Sequence, residues 1–242
     1  MRIVLKAELH AHTGDDPVDF VPHDTVALID RVAELGYQVL AITLHDRQLD
    51  TTRMASHARD RGVVLIGGIE RTICGKHVLL LNFPEAAVNQ VRSFDDLGRV
   101  KDRWNGLVIA PHPFYPSTTC LHGDLSRYAD LFDAVEINAF YTRLVDFNRP
   151  VVRWAKARGK PMVGNGDIHR LFQLAKTYSM IDAPLDVDAI CTAVRGGHVE
   201  VRTRPLSSLE AAAYLSKVLI GNLCAAVARR TEAVLPGLRR SV

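Results

Sequence analysis

A single α/β barrel is the fold class predicted for this 242-residue chain, and three observations predict it. Short apolar, β-branched runs alternate with amphipathic segments from end to end. Most of those runs are apolar on both faces, as strands of a parallel sheet covered by helices are. No Pro- or Ser-rich linker interrupts the βα repeat, which favours one closed or nearly closed barrel over the main alternative, an open doubly wound sheet. With 48% hydrophobic and 24% charged residues, the chain can bury a core, and α/β barrels of this length are commonly one unit. Residues 1–242 are accordingly read as one domain.

In chain order, strands are predicted at Ile3–Leu9, Val39–Leu44, Val63–Ile69, His77–Leu81, Leu107–Ala110, Ala134–Ile137, Pro161–Val163, Tyr178–Ile181 and Val199–Val201. After Asp24, the residues Val26, Ile29, Val32 and Ala33 recur at helical spacing, and Gly36 is a natural stop. Asn148 and Pro150 open a second helical pattern that carries Val151, Trp154 and Ala155 and ends at Gly159. Ser207 and Glu210 have capping-box spacing. They predict a C-terminal helix from about residue 207 towards Ala226, with a loosely ordered Arg-rich tail after Leu235.

Composition narrows the function classes. The formal net charge is +3 and Lys and Arg are scattered, so the concentrated basic face of a nucleic-acid binder is absent and a nucleic-acid partner is disfavoured. Cys74, Cys120, Cys191 and Cys224 lie far apart without CxxC spacing, which indicates neither a disulfide framework nor a thiolate zinc site. The apolar N-terminal run is too short for a signal peptide. No stretch reaches the ~18–20 apolar residues that span a bilayer. A soluble cytoplasmic protein without a membrane partner is expected, its oligomeric state open.

The polar residues that terminate the strands carry the functional signal. The first strand runs into Glu8-Leu9-His10-Ala11-His12-Thr13, and period-two alternation turns His10 and His12 the same way. The second ends in Thr43-Leu44-His45-Asp46, and the third in Gly67-Gly68-Ile69-Glu70, where the glycines predict a close backbone approach at the site. His77 opens the next run. Later strands end in Pro111-His112-Pro113, in Glu136-Ile137-Asn138 and in Gly166-Asp167-Ile168-His169. The C-terminal strand ends of an α/β barrel face one shared mouth, so these residues are expected to converge. Isolated histidines such as His57, His122 and His198 sit in polar or Gly-rich settings and read as ordinary surface or hydrogen-bonded residues. Buried imidazoles and carboxylates gathered at strand ends are costly unless something pairs with them, and metal ions supply that pairing.

The ordered set "HAHT", "AITLHD", "GIE", "KHVLLLN", "APHP", "VEINAFY" and "GDIH" resembles the polymerase and histidinol phosphatase (PHP) family of metal-dependent phosphoesterases, over most of the barrel. The resemblance implies a distorted (β/α)7, TIM-like barrel of the PHP type with two or three divalent ions at its mouth. It implies that His10, His12, Glu70 and Asp167 hold a first ion. Glu70 then bridges to a second held by His77 and His112. A third is held by His45, His169 and a residue soon after HxHT, for which Asp16 is preferred over Asp15, Asp19 and His23. Glu70, His112 and Asp167 are also placed at the reacting centre. One departure stands out: Leu44 occupies the position of an aspartate in the family's usual Thr-Asp-His. That change predicts either a weakened third site or another partner for His45. Glu136 and Asn138 match a motif near the centre without a ligand role.

The chemistry follows from such a cluster. Ions about 3.5–4 Å apart acidify a bridging water and neutralise phosphate oxygens during in-line attack. A mixed His and carboxylate set suits Mn²⁺, Zn²⁺ or Fe²⁺ better than Mg²⁺. Arg47, Arg71, Arg143 and Arg170 neighbour these motifs and can grip a phosphate bidentately, with Arg170 preferred. The expected activity is hydrolysis of a small phosphomonoester, of histidinol phosphate or nucleotide type. The alternatives are a nuclease or cyclic-phosphate diesterase of the same family, and a non-catalytic metal-binding barrel. An amidohydrolase would share HxH but employs a mid-barrel lysine that no strand end here supplies. Loops Tyr115–Gly123 and Phe140–Phe147 are expected to set specificity.

Overall fold

The computed structural model describes residues 4–216. Nine strands form one sheet: β1 Val4–Glu8, β2 Val39–Ile42, β3 Val64–Ile73, β4 Lys76–Leu81, β5 Leu107–Ala110, β6 Ala134–Asn138, β7 Met162–Asn165, β8 Thr177–Asp182 and β9 Val199–Thr203. Their order is β7-β6-β5-β4-β3-β2-β1-β8-β9. Seven helices lie between them: α1 Thr25–Glu34, α2 Ala55–Asp60, α3 Glu85–Val88, α4 Phe94–Lys101, α5 Gly123–Arg127, α6 Asn148–Arg158 and α7 Val187–Arg195. Residues 208–216 are also helical, after the Ser207–Glu210 capping box. The expected continuation towards Ala226 and the tail after Leu235 lie outside the described residues.

The barrel comes close to closing where β7 meets β8. Ser179 Oγ accepts from Gly164 N at 2.9 Å and donates to Gly164 O at 3.0 Å. A Cβ on Gly164 would sit 2.7 Å from Tyr178 O, so only glycine permits this approach. Side-chain alternation divides the core into an inside and two outer layers. Val39 and Ala41, Leu79 and Leu81, Leu107 and Ile109 face an inner cluster that α7 joins through Ile190 and Val194. Leu40, Ile42 and Leu44 pack outward on α1 through Leu28, Ile29 and Val32. Val78, Leu80 and Val108 pack outward with Phe132, Val151 and Trp154. Among the described residues no helix is long and apolar enough to cross a membrane.

Two expectations need correction. Nine strands build the barrel's sheet rather than the seven that the resemblance implies, because the hairpin strand β4 and the pair β8 and β9 add to the βα units. The sheet is also not all parallel: β4 is antiparallel to β3 and β5, and β8 to β1 and β9. The cause at β4 is a two-residue turn, Cys74 (φ 50°) and Gly75 (φ 76°). Positive φ at both central residues is what a type I′ hairpin requires. The third strand therefore runs on to Ile73 instead of ending at Glu70. Reversing β4 also brings its first residues, including His77, to the mouth where β3 ends.

Candidate metal centre

Glu70 lies within β3 on the same face as Ile66, an inner-cluster residue, because strand side chains alternate. It is buried, and five imidazoles surround its carboxylate. Oε2 lies 3.2 Å from His10 Nε2, 3.3 Å from His12 Nε2 and 3.2 Å from His45 Nε2. Oε1 lies 2.7 Å from His77 Nδ1 and 3.3 Å from His112 Nε2. Asp167 closes the ring from β7: its Oδ1 is 3.4 Å from His10 Nε2, 3.5 Å from His12 Nε2 and 3.4 Å from His169 Nδ1. His112 (φ 28°) and Asp167 (φ 49°) hold left-handed backbone, strain of the kind that persists at functional sites. The segment carrying His10 and His12 follows β1 instead of belonging to it. There Glu8, wholly buried, takes the place of a ladder partner and accepts from the amides of His10 and Gly166. Burial pushes its carboxyl well above the usual range, against those two amides.

A second layer fixes the imidazoles from behind. Glu136 Oε2 accepts from His10 Nδ1 at 2.8 Å, and Glu136 is itself held by Asn138 and Asn165. Asp16 Oδ2 faces both His12 Nδ1 (2.8 Å) and His45 Nδ1 (3.0 Å) and accepts from the His45 amide. Each of these rings thus turns Nδ1 outward and Nε2 towards Glu70, the tautomer and orientation a metal-ligating histidine needs. Burial would lower His12, but the hydrogen bond to Asp16 and the nearby carboxylates of Asp167 and Glu70 outweigh it and raise its pKa to about 10. Burial would raise Glu70, yet His10, His112 and His12 hold it well below the ordinary carboxylate range.

Of the residues expected to hold metal, His10, His12, His45, Glu70, His77, His112, Asp167 and His169 come together. Asp16 stands behind His12 and His45, on their Nδ1 side, with its other oxygen taken by the amides of Val18 and Asp19. Asp19 instead meets the ring of His169, Oδ2 to Nε2 at 3.0 Å. His23 lies behind the backbone, its Nε2 3.0 Å from His12 O, and Asp15 accepts from Thr25. The other partner expected for His45 is therefore Asp16, while Leu44 faces the outer apolar layer. The arginines divide. Arg71 is buried, donating to Val91 O and pairing with Asp46 at 3.1 Å, so it braces the loop after His45 instead of facing a substrate. Arg170 Nη1 donates to Phe20 O and His169 O, both at 2.8 Å, which fixes its guanidinium at the rim. Arg47 reaches Asp15 O at 3.1 Å, and Arg143 is exposed on the loop after β6.

The residues fit divalent ions. Four overlapping groups, His12/His45/His169, His10/His12/Asp167, His10/Glu70/His112 and His45/Glu70/His77, each present ligand atoms within 4.8 Å of one another. Two buried ligand atoms, His12 Nε2 and Asp167 Oδ1, have no hydrogen-bond partner. Buried polar atoms are rarely left so unless an ion or ligand takes them. Imidazole nitrogen with carboxylate oxygen is the donor set for Mn²⁺, Zn²⁺ or Fe²⁺. The sequence pattern did not disclose the backing roles of Glu8, Glu136 and Asp16, although Glu8 and Glu136 stand at strand ends and Asp16 is expected as a ligand.

Residues 146–199 match the family model described as PHP-associated. No curated protein matches the chain significantly. Among solved structures, the chain is similar to a two-domain protein containing a predicted PHP-like metal-dependent phosphoesterase from Bacteroides vulgatus, at 19% identity and TM-score 0.63 over 84% of this chain and 66% of that one. It is similar to PsfC from Pseudomonas syringae at 16% identity and TM-score 0.65, over 93% of this chain and 100% of that one. It is also similar to the lesion-specific endonuclease PfuEndoQ from Pyrococcus furiosus, at 14% identity and TM-score 0.57, over 82% and 58%. The chain thus spans less than two thirds of the Bacteroides and Pyrococcus proteins and all of the Pseudomonas one.

Proposed function

We propose that this chain, which resembles the PHP family in its motifs, its barrel and the match over residues 146–199, hydrolyses a small phosphomonoester in a centre of two or three divalent ions. One observation carries the proposal: both oxygens of the buried Glu70 face imidazole nitrogens, three on one side and two on the other. That is the arrangement of a bridging carboxylate between metal positions. His10, His12 and Asp167 would hold one ion, and His77 and His112 a second, with Glu70 shared between them. His45 and His169, which form a further group beside His12, would hold the third, with Asp19 next to His169 as its carboxylate in place of Asp16.

Bound there, divalent ions would acidify a water and draw charge from phosphate oxygens. The chain's own residues do the rest. Glu136 and Asp16 keep Nε2 lone pairs aimed inward. Asp167, at the open side of the ring and partly exposed, stands where it can accept a proton from an attacking water. Arg170, pinned at the rim, is placed to meet a phosphate entering over His169, with Arg47 and Arg143 farther out on neighbouring loops. Scattered charge and a net +3 favour a small substrate.

The test is elemental analysis with a substrate screen. After loading with Mn²⁺ and desalting, two or three ions per chain and turnover of p-nitrophenyl phosphate are expected. Fewer than one ion per chain would remove the polynuclear reading. A full complement without ester turnover would leave a metal-binding barrel, and nucleotide release from DNA would move the substrate to the nuclease class.

A further inference from the structure

Among the histidines around Glu70, one has an unusual backing. His10 is backed by Glu136, and His12 and His45 by Asp16, all through Nδ1 to a carboxylate. His112 turns Nε2 to Glu70 as they do, but its Nδ1 meets a thiol, Cys120 Sγ, at 3.4 Å. Cys120 is 1% exposed and its position is fixed from the metal side of the barrel. Lys76 Nζ on β4 donates to Thr118 O (2.8 Å) and Cys120 O (2.9 Å), and the His77 amide donates to Thr119 O (2.8 Å). The loop also closes on itself, from His122 N to Pro113 O at 2.9 Å. The strand that presents His77 therefore also clamps the thiol against His112.

We infer that Cys120 is a positioning residue for His112, accepting its Nδ1–H and so keeping Nε2 free for metal; this rests on the metal-centre reading above. With an ion on Nε2, the neutral ring carries its proton on Nδ1 and needs an acceptor there. Sulfur is a weak acceptor compared with a carboxylate, and it leaves the ring less basic. The ion shared by His112 and Glu70 is accordingly the one held least tightly. A buried cysteine that merely fills space would act otherwise, since it behaves as a small apolar side chain.

The two roles rank substitutions in opposite order. Cys120→Val keeps the bulk and loses the acceptor, whereas Cys120→Ser keeps an acceptor and loses some bulk. Each variant is loaded with Co²⁺ or Mn²⁺, titrated with a chelator, and followed by elemental analysis and by the visible Co²⁺ spectrum. Circular dichroism and thermal melts serve as controls for folding. The expected result is that Cys120→Val and Cys120→Ala lose one ion per chain at about 10- to 100-fold lower chelator than wild type, with an altered Co²⁺ band. Cys120→Ser should recover most of that loss. Wild-type retention in Cys120→Val, or Ser performing worse than Val, overturns the positioning role. A wild-type chain that holds no ion at all would instead overturn the metal centre, and the two failures are distinct.

Discussion

Glu70 faces five imidazoles with its charge, and Glu70→Gln separates that charge from its shape in the proposed centre. The amide keeps the size, but its nitrogen cannot ligate a cation, and two ions left without the anion would repel across a few Å of poorly screened space. At least one ion should leave, and kcat should fall at least ~100-fold, by analogy with the loss of other charge-stabilising groups. The barrel should still fold, because the apolar layers lie elsewhere, but its melt should fall, because five buried imidazoles lose their shared anion. Metal stoichiometry and kcat close to wild type would place Glu70 outside the centre. Leu44 shows how far one side-chain direction matters. The resembled family pattern puts an aspartate there, yet Leu44 is fully buried in the outer layer with Leu40 and Ile42, while His45 already has Asp16. Leu44→Asp would bury a charge among apolar neighbours, at a cost of about 3–5 kcal/mol. Thermal denaturation should show a fall of roughly 6–20 °C, with no tighter hold on an ion at the proposed third site. An unchanged melt with slower metal loss would restore the family expectation.

The β3–β4 hairpin shows what an element adds to its residues. The Gly67-Gly68 pair was expected to admit the backbone to the site, but its use lies lower in the sheet. A Cβ on Gly68 would sit 2.5 Å from Leu81 Cδ2, 3.0 Å from Thr43 Cγ2 and 3.2 Å from Ile42 O. One on Gly67 would meet only side-chain ends, Gln48 Nε2 at 3.1 Å and Thr51 Oγ1 at 3.9 Å. Gly68→Ala should therefore destabilise by about 1–3 kcal/mol through overpacking, and Gly67→Ala by clearly less. Equal melting temperatures for the two variants would contradict this account of the hairpin. All nine strands were legible, because a covered sheet demands apolar runs whatever their direction. Direction was not: the turn that reverses β4 is Cys74-Gly75, and Cys lacks the left-handed preference of the Asn or Asp that usually marks such a hairpin. The histidines were legible because barrel geometry brings strand ends to one mouth. The meeting of Asp19 with His169, and of Asp16 with the Nδ1 side of His12 and His45, was not, since both depend on how residues 13–24 fold back, with Asp16 Oδ1 capping the Val18 and Asp19 amides. Cys120 gave no signal, because only the clamp from Lys76 and His77 sets its thiol beside His112.

At the scale of the whole molecule, the buried cluster is expected to link folding to pH and, through the proposed ions, to metal. Without ions, the buried ring is held by imidazolium–carboxylate pairs. His10 and His112 stand well above the ordinary imidazole range, burial opposing; the surrounding carboxylates prevail at His10, and Cys120 with Glu70 and Asp167 at His112, while His12 rises to about 10 against burial through Asp16, Asp167 and Glu70. A group whose folded pKa is raised stabilises fully below its unfolded value, near 6.5, and loses that contribution as pH climbs through the folded value. Glu8 acts with the same sign, since its buried carboxyl is also raised and favours the fold only while protonated. The depressed Glu70 and Asp167 lose their contribution only at acid pH and are constant across this range. The metal-free chain should therefore become less stable between about pH 6.5 and 10. Metal ions bind the deprotonated ring nitrogens, so their affinity rises over the same interval, and binding at neutral pH should release protons. The gap in melting temperature between the metal-loaded and metal-free chain is thus expected to widen as pH rises. At about 1.4 kcal/mol per pKa unit and roughly 2–4 °C per kcal/mol for a chain of this size, the widening should reach several degrees by pH 9. Calorimetry in buffers of different ionisation enthalpy should count the protons displaced near pH 7. A gap that stays constant with pH, together with metal binding that releases no proton, would mean that these histidines are neutral without metal and that the carboxylates around them do not govern the centre.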